Sequence, residues 1–147
     1  MKLIKKFTFI ILISLNYFIT VSAADNLFEE AKKKFEKKDY EKSKFLFQRN
    51  IVFNPKNAES YLYLAKIFKT EENQEEEEKT LDTALLLEPN NEEAIYMLIN
   101  IQLDRSNFDK ANTLMDRFTS VCKKMCNKKK EISKSLQDFE ANNAKTN

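Results

Sequence analysis

Between positions 26 and 121, apolar residues recur at the spacing of amphipathic helices, and short polar segments separate the apolar runs. Tyr61, Leu64 and Phe68 fall at i, i+3 and i+7 of one run, and Ile95 and Leu98 begin another. Such spacing places the apolar side chains on one face of an α-helix. The pattern therefore predicts a series of short helices that are joined by polar turns.

The helical pattern itself repeats every 34 residues. The chain has two prolines, Pro55 and Pro89, which lie 34 residues apart and follow apolar runs. Proline disrupts a helix interior but is tolerated where one helix has ended and the next begins. Sliding the chain by this period aligns three blocks of two helices each, at residues 25–57, 58–91 and 92–121.

Residues 25–121 resemble the tetratricopeptide repeat (TPR) family. The resemblance rests on the 34-residue period, on the N-P-K-N and E-P-N-N junctions, and on Tyr40 and Phe108 before the second helices. It also rests on small residues where paired helices would cross, at Ala31, Ser43, Ala65, Ala84 and Ala111. The resemblance implies an all-α fold, an α-solenoid of helix-turn-helix repeats that acts in protein–protein interaction.

The sequence departs from the TPR pattern at several positions. The turn glycine of the family is absent, and Lys38, Glu72 and Ser106 stand in its place. A residue other than glycine in the left-handed conformation costs about 1–2 kcal/mol. In the second block, Glu77 occupies a small-residue position and Gln74 replaces the aromatic residue, so we expect that second helix to begin loosely.

An amphipathic spacing continues beyond the third block, at Met125, Ile132, Leu136 and Phe139. It predicts a helix of about residues 128–141. Because the end of a solenoid exposes an apolar face, a terminal capping helix is expected there. We therefore assign residues 122–141 to a basic turn with a capping helix, and residues 142–147 to a disordered tail.

The first 24 residues differ from the rest and have the three parts of a secretory signal peptide. Three lysines precede an uncharged stretch of about fifteen residues, and small residues for cleavage follow at positions 22–24. A transmembrane helix needs about 20 apolar residues, so this stretch is short for one. The pattern predicts export, with a periplasmic or secreted product; the alternative is an uncleaved N-terminal membrane anchor.

Composition limits the chemistry that the chain can perform. It contains no His and no Gly. Histidine is the commonest general base and metal ligand, and glycine is required by phosphate-binding and dinucleotide-binding loops. We therefore expect a protein that is not an enzyme and that holds no cofactor or metal.

Charge does not indicate a nucleic-acid partner. Three of the 25 basic residues and none of the 23 acidic residues lie in positions 1–24, so the remainder carries a net charge of −1. Charge is still segregated, with six Glu in residues 71–79 and six Lys in residues 122–134. Each run predicts a solvated face; alternatively, the two ends of the molecule prefer oppositely charged surfaces.

The resemblance also implies where a partner would bind. The first helix of each repeat presents side chains to an inner, concave surface, and here these include large apolar groups beside charges and amides. A groove of this kind suits an amphipathic helix or an extended peptide. The candidate contact residues are Phe28, Phe35, Leu62, Tyr63, Lys66, Tyr96, Met97, Asn100 and Leu103.

Cys122 and Cys126 are the only cysteines, in the segment CKKMC. With no His and no further Cys, they cannot form a zinc site within the chain. An exported chain meets oxidising conditions, so a disulfide between them is one reading. Two free thiols, with Cys122 partly packed, are the other.

The sequence as a whole predicts an exported interaction module that binds a protein or peptide partner in its groove. A second hypothesis is a membrane-tethered assembly subunit, whose N-terminus is retained and whose Lys-rich segment, residues 123–134, contacts anionic lipid. The family also includes domains that grip a C-terminal carboxylate with Lys, Asn and Arg side chains. That version is disfavoured here, because Phe28, Tyr63, Glu93 and Met97 occupy four of the required positions.

Overall fold

A computed structural model of the chain describes the backbone of residues 26–143 and the side chains of residues 26–138. The predicted signal peptide at residues 1–24 and the last four residues of the predicted tail lie outside this part. Within it, the backbone forms seven α-helices, one 3₁₀-helix and no strand, which confirms the all-α class. The helices are α1 (26–36), α2 (Tyr40–Phe53), α3 (Ala58–Thr70), α4 (Gln74–Leu87), α5 (Glu92–Asp104), α6 (Phe108–Val121), the 3₁₀-helix Cys126–Lys128, and α7 (Lys129–Asn143).

The chain divides into two compact units, and the division between Leu64 and Ala65 falls within α3. In the first unit, small residues allow α1 and α2 to approach closely. Ala31 and Ser43 are fully buried, and the Ser43 hydroxyl donates to the Ala31 carbonyl oxygen at 2.9 Å. This hydrogen bond gives the buried Ser43 hydroxyl a partner, so its burial leaves no unpaired hydroxyl at this contact.

The second unit contains the end of α3 and the helices α4 to α7. Helix α5 packs against both α4 and α6, and α7 packs against α5 and α6. The core of this unit consists of large side chains that are almost fully buried, among them Ile67, Leu81, Ile95, Ile99, Phe118 and Ile132. Each is an apolar position of the helical pattern, so burial of these faces explains why short helices are stable here.

Three turns within the helix pairs adopt the left-handed conformation without glycine. Lys38, Glu72 and Ser106 have φ angles of 59°, 56° and 56°, at the three positions where the family has glycine. The backbone of the repeat is therefore retained although its preferred residue is absent. Each of these residues costs about 1–2 kcal/mol relative to an unstrained turn.

Two expectations about helix ends are wrong. Helix α4 does not begin loosely, because the Asn73 side chain accepts a hydrogen bond from the Glu76 N–H at 3.2 Å and caps the helix. Helix α7 continues to Asn143, so Asn142 and Asn143 are helical rather than part of a disordered tail. Proline and glycine stop helices most effectively, and the sequence has neither after position 89, so no such residue ends α7 before Asn143.

Candidate functional site

In the first unit, two of the predicted contact residues form the partly exposed side of an aromatic cluster. Phe35 and Tyr63 are half-buried, and their ring centroids lie 5.2 Å apart in an edge-to-face arrangement. Tyr63 also stacks on the buried Phe47 at 5.0 Å, and Phe35 meets Tyr40 at 5.5 Å. Packing against these rings fixes the rotamers of Phe35 and Tyr63, so their exposed faces form a rigid apolar surface.

Three other predicted contact residues belong to the core. Phe28, Leu62 and Met97 are only 8%, 6% and 6% exposed. Phe28 lies 5.7 Å from Phe47 and 6.1 Å from Tyr63 between ring centroids, which explains its burial. These three side chains therefore contribute to packing, whereas the remaining six candidates keep part of their surface accessible.

In the second unit, the accessible candidates lie along one row of α5 and beside it on α3. Tyr96, Asn100 and Leu103 are spaced at i, i+4 and i+7 and are all half-buried. Lys66 on α3 forms an ion pair with Glu93 on α5, with its Nζ 2.8 Å from the nearer carboxylate oxygen. This pair holds one charged group of each sign beside the apolar and amide groups of α5.

The N-terminal part of α7 lies over Tyr96. The Tyr96 hydroxyl donates to Glu131 Oε1 at 2.8 Å, and Lys128 Nζ lies 5.3 Å from the centre of the tyrosine ring. Lys128 also pairs with Glu131 at 2.8 Å. The hydrogen bond to Glu131 raises the pKa of Lys128, and the bond from Lys128 lowers the pKa of Glu131, so both groups stay charged at neutral pH. One predicted contact residue is thus already engaged by the chain's own capping helix.

A disulfide joins Cys122 to Cys126, with their Cα atoms 5.3 Å apart. The three residues between them direct their backbone N–H groups at the carboxylate of Glu92, the first residue of α5. Burial opposes ionisation of Glu92, but the three N–H donors outweigh it and hold the pKa of Glu92 below its ordinary value. Neither cysteine is fully buried.

Glu78, which no sequence motif marks, joins three helices. Its carboxylate on α4 accepts hydrogen bonds from Gln102 at 2.9 Å and Lys110 at 3.1 Å, and it pairs with Arg105. Burial opposes its ionisation, but these donors prevail and lower the pKa of Glu78. The Glu-rich run is thus not uniformly a solvated face. No local signal marks Glu78, because its partners lie 24 to 32 residues away in the sequence.

In the second unit, surface depressions lie at the turn between α4 and α5. One of about 250 Å³ is lined by Glu92 and Lys123 with residues 90, 120 and 121. Another of about 410 Å³ is lined by residues 87–91 of the turn alone. Within the described part of the chain, no three His, Cys, Asp or Glu side chains gather where they could hold a metal ion.

Helix pairs in a 34-residue register, with left-handed turns inside each pair, define an all-α helical-repeat protein. No protein-family model matches the sequence, and no curated protein matches it. Solved structures that are similar to the chain include several TPR domains and a type III secretion chaperone.

Three of these structures illustrate the likeness. The Arabidopsis OM64 TPR domain superposes with a TM-score of 0.73 at 17% identity, covering 82% of this chain and 98% of that domain. The type III secretion chaperone SycD of Yersinia enterocolitica, in complex with a peptide of the translocator YopD, gives 0.71 at 11% identity, with coverage of 83% and 95%. The TPR2B domain of yeast Sti1, in its pHsp70 complex, gives 0.67 at 18% identity, with coverage of 81% and 97%. The likeness establishes a TPR-like α-solenoid fold.

Proposed function

We propose that the protein is an exported interaction module, which binds a helix or an extended segment of a partner polypeptide and catalyses no reaction. This proposal rests on one observation: Tyr96, Asn100 and Leu103 form a row on α5 that is partly exposed beside the Lys66–Glu93 pair. Apolar, amide and charged groups on rigid helices suit recognition of a peptide by shape and by hydrogen bonds.

The aromatic surface of the first unit would contribute a second set of contacts. Phe35 and Tyr63 present partly exposed rings that are held by packing from behind. Aromatic groups of this kind dominate binding energy at protein interfaces. Burying the rest of each ring would cost little side-chain entropy, because the rotamers are already fixed.

Structural neighbours support the proposal by what they bind. SycD is in complex with a peptide of the translocator YopD, and TPR2B of Sti1 is in complex with pHsp70. In both, the same helical architecture takes a polypeptide as its ligand. We therefore propose that the partner of this protein is also a polypeptide. The partly exposed residues of this protein would determine which sequence it binds.

The expected affinity follows from the number of anchors. Each Phe-sized or Leu-sized side chain of the partner that becomes fully buried on this surface contributes about 1.5–3 kcal/mol. Association itself costs several kcal/mol before any contact counts. With three or four such anchors, binding would be about micromolar, an affinity suited to reversible assembly.

A photo-crosslinking amino acid in place of Asn100 tests the proposed surface in the cells that produce the protein. Asp116, which is exposed on α6, is the matched control position. We expect one partner polypeptide to be captured from position 100 and not from position 116. Equal capture from the two positions, or capture from position 116 alone, would contradict the proposed surface.

Export is part of the proposal, and its support is the three-part pattern of residues 1–24. The membrane-tethered alternative retains this segment and places the lysines of residues 123–134 against anionic lipid. In residues 26–143, no helix has the length and apolarity that crossing a bilayer requires. The mass of the N-terminal peptide separates the two: a chain that starts at Ala24 or Asp25 has lost the tether, and a chain that starts at Met1 has kept it.

A further inference from the structure

The disulfide closes a small ring around three converging hydrogen-bond donors. Between Cys122 and Cys126, the N–H groups of Lys123, Lys124 and Met125 donate to the Glu92 carboxylate at 2.6, 3.0 and 3.1 Å. Successive backbone N–H groups that point to one side form a concave anion site. Here the anion is supplied by the first residue of α5, 31 to 33 residues earlier in the chain.

This contact fixes the start of the capping helix relative to α5. The ring ends at Cys126, the first residue of the 3₁₀-helix that leads into α7, and Glu92 belongs to α5. A second contact with α5 follows one turn later along that helix, where Tyr96 donates to Glu131 of α7 and lies under Lys128 of the 3₁₀-helix. The disulfide ring and Tyr96 together place the start of α7 over the row that Tyr96 forms with Asn100 and Leu103 on α5.

Closure of the ring makes the three donors available at low entropic cost. Ordering the backbone of one residue costs about 1–2 kcal/mol, so three free residues would seldom converge on one carboxylate unaided. The covalent link removes much of that freedom from residues 123–125. The grip on Glu92 therefore depends on the oxidised state of the two cysteines.

We propose that the Cys122–Cys126 disulfide is a redox-sensitive latch that holds the start of α7 over Tyr96 through Glu92. Reduction by a dithiol breaks the S–S bond and yields two thiols, while two electrons and two protons leave the dithiol, which becomes a disulfide. The freed loop loses its converging geometry, and α7 separates from α5 more often. Tyr96, which is partly buried in the oxidised protein, then becomes more accessible on the row with Asn100 and Leu103.

The ring is placed where a thiol reagent can reach it. Cys122 and Cys126 are both partly accessible, and Lys123 and Lys124 are exposed between them. Neighbouring lysines stabilise thiolates, which makes the cysteine sulfurs better leaving groups in thiol–disulfide exchange. If the proposed function holds, reduction would also raise the affinity of the α5 row for its partner; this consequence rests on the proposed function, whereas the latch does not.

Hydrogen–deuterium exchange of the full chain tests the latch without any partner. We expect amides of residues 129–138 to exchange about tenfold faster after reduction by dithiothreitol than in the oxidised protein. Amides of α4 should be unchanged. Identical exchange of residues 129–138 in the two states would overturn the proposal, and so would equal acceleration in α4, because that outcome means general loss of stability.

Two single substitutions separate the role of Glu92 from that of charge on α5 in general. Glu92→Gln removes the anion that the ring holds, and Glu93→Gln removes a charge from the next position, which pairs with Lys66 instead. In the oxidised protein, Glu92→Gln should accelerate exchange of residues 129–138 and Glu93→Gln should not. After reduction, Glu92→Gln should add little further acceleration. Equal effects of the two substitutions, or a full effect of Glu92→Gln in the reduced protein, would contradict the latch.

Discussion

Glu77 occupies the position in α4 where the first and third repeats have Ser43 and Ala111. It is 5% exposed, and within the described residues its Oε1 atom has no hydrogen-bond partner. Burial raises the pKa of Glu77; Lys69 opposes this shift and Asp104 adds to it. A buried, incompletely paired carboxylate lowers stability whenever it is ionised.

Replacing Glu77 by alanine should therefore stabilise the protein at neutral pH, by about 1 kcal/mol in the free energy of unfolding. Because the folded-state pKa is raised, the cost is present in full above that pKa. It disappears as the pH falls below the pKa of the unfolded chain. The advantage of Glu77→Ala should thus be larger at pH 7 than at pH 4, as measured by urea denaturation at both pH values.

Glu75→Ala is the matched control, since Glu75 is exposed in the same turn and loses a similar side chain. It should change the free energy of unfolding little at either pH. A Glu77→Ala variant less stable than the original protein at pH 7 would show that the carboxylate is better accommodated than the structure indicates.

The left-handed turn residues show what residue-level sequence reasoning can achieve. Lys38, Glu72 and Ser106 were identified by position alone, as the residues that replace the family's turn glycine, and all three have positive φ. The backbone of the repeat dictates this conformation, so register suffices to predict it. The consequence of Glu77 was harder to predict, because its burial depends on helices that pack from elsewhere in the sequence.

Asparagine side chains cap the N-termini of three helices: the two that follow the proline junctions and one that follows an internal turn. Asn57, Asn73 and Asn91 accept hydrogen bonds from the N–H three residues later, at 2.7, 3.2 and 3.0 Å. Such caps satisfy N–H groups that have no partner within the helix. The capping bond of Asn73 also explains why α4 begins firmly although Gln74 replaces the usual aromatic residue.

Loss of the α5 cap should be measurable. Asn91→Ala removes the acceptor for the Ala94 N–H and should lower the free energy of unfolding by about 1 kcal/mol. Asn90→Ala, one residue earlier and exposed, should have a much smaller effect. Thermal and urea denaturation of both variants provide the comparison, and equal losses would show that Asn91 does not stabilise α5 by capping.

The capping helix illustrates the limit of prediction at the scale of elements. Its amphipathic spacing predicted a helix near residues 128–141, and Ile132 and Leu136 are buried as that spacing requires. The sequence does not reveal that its first turn would lie on Tyr96, because Glu131 and Tyr96 are 35 residues apart. Helical periodicity identifies a buried face but not the element that covers it.

At the scale of the whole molecule, the repeat period determines the fold class more firmly than any single residue does. A 34-residue register predicted paired helices, and the structure has the all-α fold of TPR domains. The proposed binding surface is less predictable from the sequence. Phe28, Leu62 and Met97 occupy first-helix positions as Phe35, Asn100 and Leu103 do, yet the former three are buried. Periodicity alone does not distinguish the two sets, because accessibility depends on the crossing of neighbouring helices.

Partly exposed residues on the first helix of each repeat are proposed to bind a polypeptide. This proposal is tested most directly by titrating the segment captured from position 100 against purified protein in a calorimeter. Leu103→Ala should weaken the affinity about tenfold, since it removes a Leu-sized anchor. Asp116→Ala should leave it unchanged, and helical circular dichroism should be the same in both. Unchanged affinity in Leu103→Ala, or an equal loss in both variants, would contradict the account.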